Sequence, residues 1–125
     1  MTSPEAPYHA HIYYDPAERL AAAALREAFT GDPSILHVGP MIDHPVGPHP
    51  IAQYEVQFFA RSRDAVVAAI ETTGLRALVH PLTDDDLADH TTLAHWIGTP
   101  IDLDISELDP PGANQGIARF GVKDF

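Results

Sequence analysis

Tyr8-His9-Ala10-His11-Ile12-Tyr13-Tyr14 alternates between two kinds of side chain. On an extended chain Ala10, Ile12 and Tyr14 fall on one side, and His9, His11 and Tyr13 fall on the other. The aromatic and β-branched content makes the stretch a strand. Its two faces need different neighbours, an apolar layer against one and polar partners against the other. Gln53-Tyr54-Glu55-Val56-Gln57-Phe58 repeats the pattern, with Tyr54, Val56 and Phe58 set against Gln53, Glu55 and Gln57, and reads as a half-buried strand.

Helices on either side of that second strand supply the apolar layer. Asp15-Pro16-Ala17-Glu18 opens one, with an acceptor at the cap, proline in the first turn and Glu18 three residues on. Leu20, Ala21, Ala24, Leu25, Ala28 and Phe29 then form a stripe at helical spacing up to Gly31. A second helix runs over residues 62–73, with Val66, Val67 and Ile70 inward. Short strands are expected over residues 35–38, with His37 in the middle, and 75–80, ending on His80. A third helix is expected from the Thr83 cap to about Ile97, followed by a fifth strand at 101–105. Residues 39–50 form a stiff loop rich in Pro and Gly.

The order β-α-β-β-α-β specifies an α+β, ferredoxin-like antiparallel sheet with two helices on one face, extended by a C-terminal helix and short strand. One domain is expected, with its core at about 8–109 and an arm over 110–125. The face away from the helices collects His9, His11, Tyr13, His37, Glu55 and Gln57, with His80 at the end of its strand. A second copy often covers such a face, so a homodimer is expected.

Composition narrows the chemistry. The 125 residues hold eight histidines and no cysteine, which excludes disulfides, thiolate metal sites and thiol catalysis. A metal would be held by His, Asp or Glu. The formal net charge is −11, and residues 77–118 contain no Lys or Arg. Nucleic acid and anionic membranes are therefore poor partners. No apolar run is long enough to span a membrane, and no secretory signal is visible, so a cytoplasmic location is expected. The acidic residues of the last third are expected to raise nearby histidine pKa values or to steer a cationic amine.

The histidines fall into clusters. His9 and His11, two residues apart on a strand, lie roughly 6.5–7 Å apart at Cα and can converge on one ion. Glu55 on a neighbouring strand would complete the two-histidine, one-carboxylate set that non-haem Fe(II) oxygenases use. His44 and His49 stand on the braced loop. His90 is one turn after Asp86 and can be oriented by it for acid–base work.

Taken together, Tyr8–Asp15, the His44-Pro45-Val46-Gly47-Pro48-His49-Pro50 loop, Val79-His80-Pro81-Leu82-Thr83, Asp89-His90 and Trp96-Ile97-Gly98 resemble the DOPA 4,5-dioxygenase family of fungi and bacteria. The resemblance implies extradiol ring opening of a catechol by O2 with non-haem Fe(II), and its motif histidines fall on His9, His11, His49, His80 and His90. The family usually carries a further histidine three positions after the one matching His90, where this chain has Leu93.

The reading that follows is an extradiol dioxygenase acting on a small catechol such as L-DOPA. Fe(II) is expected on His11, His80 and Glu55, with His9 as the substitute ligand. His49, His90 and His9 are the candidate catalytic residues, and His44, Tyr13 and His37 the candidate substrate contacts. The alternatives are a dimeric, non-enzymatic ligand-binding module and an activity that uses zinc or manganese.

Overall fold

A computed structural model of the chain describes residues 3–121. Its strands are β1 (Pro7–Tyr13), β2 (Ile35–Val38), β3 (Gln53–Phe59), β4 (Ala77–Pro81) and β5 (His95–Ile97). Its α-helices are α1 (Arg19–Thr30), α2 (Arg63–Glu71), α3 (Asp86–His90) and α4 (Gln115–Ala118). The sheet is antiparallel, in the order β2-β3-β1-β4-β5. Its first four strands have the ferredoxin-like arrangement that the sequence predicts, with β1 in the middle of the sheet, paired to β3 on one side and β4 on the other.

Ala10 and Ile12 of β1, Tyr54, Val56 and Phe58 of β3, and Val79 of β4 form the apolar side of the sheet with Tyr14, which follows β1. Helix α1 lays Ala22, Leu25 and Phe29 on it, and α2 adds Val66 and Ile70. Each large side chain of this layer contributes about 1.5–3 kcal/mol through burial. The contact stripe of α1 differs from the one expected: Leu20 is 86% exposed, and Ala21, Ala24 and Ala28 also face water. With alanines at 21–24, the hydrophobic pattern alone does not fix the rotation of the helix. The Tyr54 hydroxyl does, by donating to the Ala22 carbonyl at 2.9 Å.

The polar side of the sheet is closed as well. His9, His11, Tyr13, Gln53, Glu55, Gln57 and His80 are each no more than 2% exposed. Strand β3 is therefore buried on both faces over Gln53–Phe58 rather than half-buried. Elements of this chain supply cover for that face. His49 of the proline loop bonds Tyr13, His90 of α3 packs on His80, and Phe120 stacks on His9.

The C-terminal third departs most from expectation. The third helix stops at His90, where Thr91 leaves helical geometry, and residues 95–97 turn back to pair with β4, Trp96 opposite Leu78. The fifth strand is thus His95–Ile97, and residues 101–104 are irregular, leading into a 3-10 turn at Ile105–Glu107. The arm carries α4 and lies along the polar face. Residues 122–125 of the expected arm lie outside the described residues.

Candidate metal centre and its cavity

Strand register assembles the centre. His9 of β1 stands directly opposite His80 of β4, and His11 follows two residues along the same face of β1. One ring nitrogen from each of His9, His11 and His80 lies within 4.8 Å of the other two.

The outer nitrogens decide what the inner ones can do. His80 Nδ1 lies 2.7 Å from the Pro81 carbonyl oxygen, and His11 Nδ1 lies 3.1 Å from Gln53 Oε1. Both acceptors call for an N–H on Nδ1, so Nε2 of each ring carries a lone pair. Those two Nε2 atoms face each other at 3.0 Å. His9 Nδ1 lies 2.7 Å from Glu55 Oε1, while His9 Nε2 is buried without a hydrogen-bond partner. Converging lone pairs in a buried place are repulsive unless a proton or a cation sits among them. An oxygen behind each metal-binding imidazole is the usual arrangement around histidine-held metals.

Electrostatics keep the set ready to ligate. Burial, reinforced by the neighbouring histidines, holds His11 and His80 well below the ordinary histidine pKa. Burial pushes His49 down to about 3. The expected rise from the acidic surroundings does not occur at these three, because desolvation of the imidazolium outweighs distant carboxylates. Neutral imidazole is the form that binds a metal.

Glu55 is therefore placed behind His9 rather than among the converging atoms. It is paired with His11 across the strands, yet its carboxylate reaches the diagonal neighbour, His9. Gln57 Nε2 donates to Glu55 Oε2 at 3.0 Å and steadies it.

A cavity of about 220 Å3 opens beside the cluster, lined by His9, His11, His80, His90, Asp86 and residues of the C-terminal arm. His90 lines it with Nδ1 held by the Asp86 carbonyl at 2.8 Å and its carboxylate at 3.3 Å. Burial would raise the Asp86 pKa, but hydrogen bonds from His90 and the Asp109 N–H outweigh it, so the carboxyl lies below its usual range. The sequence-predicted Asp86–His90 pair is thus formed, although the helix carrying it is shorter than expected.

Other candidates sit elsewhere. His49 packs on His11 at 4.1 Å between ring centroids but is not among the cavity-lining residues. Tyr13 is fully buried, shares a 2.7 Å hydrogen bond with His49 Nδ1 and stacks on Trp96. His44 is exposed and lines a separate cavity with Tyr14, Arg19 and Asp43. His37 lies on β2, two strands away from the cluster, with a buried Nε2. Leu93 is 48% exposed and outside the cavity lining, so the departure from the family pattern does not touch the three histidines. Sequence reading missed Asn114 and Arg119 as cavity residues. It treated the arm as a tail, and their only signal was that Arg119 ends the stretch free of Lys and Arg.

The chain is similar to known proteins along most of its length. The profile of the Dopa 4,5-dioxygenase family matches residues 8–107. The DOPA 4,5-dioxygenase of Amanita muscaria is 33% identical over 112 residues, which cover 81% of this chain and 49% of that protein. An uncharacterized 21.2 kDa protein of Botryotinia fuckeliana is 36% identical over 74 residues, 51% of this chain and 40% of the relative. The chain thus spans half or less of the length of these curated relatives. The crystal structure of a candidate dioxygenase from Nostoc punctiforme superposes with a TM-score of 0.76 at 37% identity, covering 82% of this chain and 90% of that one.

Proposed function

The chain belongs to the Dopa 4,5-dioxygenase family, and we propose that it opens the ring of a small catechol such as L-DOPA with O2, using Fe(II) held by His9, His11 and His80. The observation that carries this reading is the convergence of three imidazoles, two with facing lone pairs and one with a buried, unpartnered Nε2. This reading puts His9 in the ligand position first expected for Glu55. Glu55, Gln53 and the Pro81 carbonyl orient the three rings and fix their tautomers. When bound, the cation supplies Lewis acidity toward the catechol oxygens and an open position for dioxygen.

The protein groups supply the rest. A cavity of roughly 150 Å3 holds a benzene ring, so about 220 Å3 suits one ring with a short substituent. His90 is the acid–base group of this reading, because it lines that cavity. With Nδ1 held at Asp86, its Nε2 is left to take a phenolic proton and later return it. His49 acts from behind by packing against the His11 ring, and Tyr13 holds His49 there through their hydrogen bond. An all-nitrogen donor set also suits zinc, the favoured alternative among metals.

The test starts from protein purified without air. Iron near one equivalent per chain, with oxygen uptake and a yellow product on adding L-DOPA, is the expected result. Full iron loading with no oxygen uptake on any catechol would overturn the reading. Oxygen uptake also separates it from a zinc-dependent activity.

A further inference from the structure

We propose that Arg119 binds a carboxylate on the substituent of the catechol, which makes it a specificity-determining residue of the cavity. The inference rests on the catechol reading above and assigns a residue of this chain to the acid end of such a substrate. The family match ends at residue 107, so the wall built by Leu108, Asp109, Asn114 and Arg119 lies beyond it. That wall shares the cavity with the three histidines, and among the described lining residues Arg119 is the one Lys or Arg. The histidines are buried and Arg119 is exposed, so the cluster forms the floor and the guanidinium the rim. A ring anchored by its two oxygens at the floor therefore points its substituent toward the rim.

Arg119 is held in place from both sides. Its N–H donates to the Gln115 carbonyl, and its Nη2 donates to Gln115 Oε1 at 3.1 Å. Immediately after it, Phe120 stacks on His9 with centroids 6.2 Å apart, and the Gly121 N–H donates to Gln57 Oε1. A pre-placed planar guanidinium is the side chain best suited to a carboxylate. The same rim carries Glu107 and Asp109, so an amine on the substituent is accepted too, but neither of these residues can hold the acid.

The experiment measures binding without air by calorimetry, using iron-loaded wild type and Arg119→Gln. The ligands are 3-(3,4-dihydroxyphenyl)propionate, L-DOPA, dopamine and 4-methylcatechol. The expected result is a loss of roughly tenfold or more in Arg119→Gln for the first two, in line with a lost charge-assisted hydrogen bond. Dopamine and 4-methylcatechol should change by less than about twofold, or dopamine should tighten. Equal effects on all four, or none, would overturn the proposal and leave the catechol reading standing. If no ligand binds the iron-loaded wild type, both fall. Metal content of the variant is checked alongside and should equal that of wild type.

Discussion

His11 and His80 turn their Nε2 atoms toward each other at 3.0 Å while each keeps its Nδ1 on an oxygen, Gln53 Oε1 and the Pro81 carbonyl. Neither ring has a proton to offer the other. The pair is an arrangement that a cation resolves, and the first prediction tests it.

Replacing His9, His11 or His80 by Ala should reduce bound iron from about one equivalent to near zero, measured by elemental mass spectrometry after gel filtration. Glu55→Gln should keep the iron and weaken it by about 10–100-fold, as expected for a group that orients a ligand. If Glu55→Gln loses all metal while His9→Ala keeps it, the roles are exchanged: Glu55 is the ligand and His9 is not.

The metal-free protein should lose stability on acidification. His11, His49 and His80 are held neutral by burial, with His49 down at about 3, whereas unfolded they titrate near 6.5. Between those values the unfolded chain binds more protons than the folded one, so stability falls as pH falls. The slope is about 1.4 kcal/mol per pH unit for each such histidine. Urea midpoints measured from pH 7 to pH 4 check this, and a flat profile would contradict it.

Substituting Gln for His90 should leave the metal content unchanged and lower kcat by roughly 10²–10⁴-fold, the usual contribution of a positioned acid–base group. Asp86→Asn should move the pH profile of kcat as well as its height, since the carboxylate lies 3.3 Å from His90 Nδ1. Steady-state oxygen uptake across pH reads both.

Introducing histidine at Leu93, the family's usual residue there, should change neither the metal content nor the rate by more than about twofold. Leu93 is half-exposed and lies outside the cavity, and surface changes are usually within about 0.5 kcal/mol.

Gly98 has φ +75°, and a Cβ there would meet Arg76 Cγ at 3.2 Å. Gly98→Ala should cost about 1–2 kcal/mol from the left-handed backbone alone, seen as a lower unfolding midpoint. It should also disturb β5, which ends on the residue before it.

Strand periodicity carried most of what the sequence revealed. The alternation in residues 8–14 and 53–58 placed the histidines and Glu55 on one face, and the register confirms that face. Two things were not legible. Parity says which face a side chain occupies but not which neighbour it meets, so Glu55 looked like a ligand when its carboxylate turns diagonally to His9. Tertiary pairing also overrides local pattern over short spans: Leu87, Ala94 and Ile97 fit a helix, yet residues 95–97 gain more by pairing with β4. The arm had no periodicity to read, although its Asn114 fastens it by donating to Asp89 Oδ2 and to the Thr83 carbonyl.

The pairing of His9 with His80 joins positions 71 residues apart along the chain, by subtraction of their numbers, on adjacent strands. A cation held between them is a cross-link, closing a long loop in any partly unfolded chain. Loop-closure entropy grows slowly with length, by about 0.6 kcal/mol per doubling, and ligand binding to the folded state adds about 2.7 kcal/mol at a hundred times the dissociation constant. If the three histidines hold the proposed iron, durability becomes a property of the surroundings: where free iron is scarce the same sequence should be a softer, shorter-lived molecule.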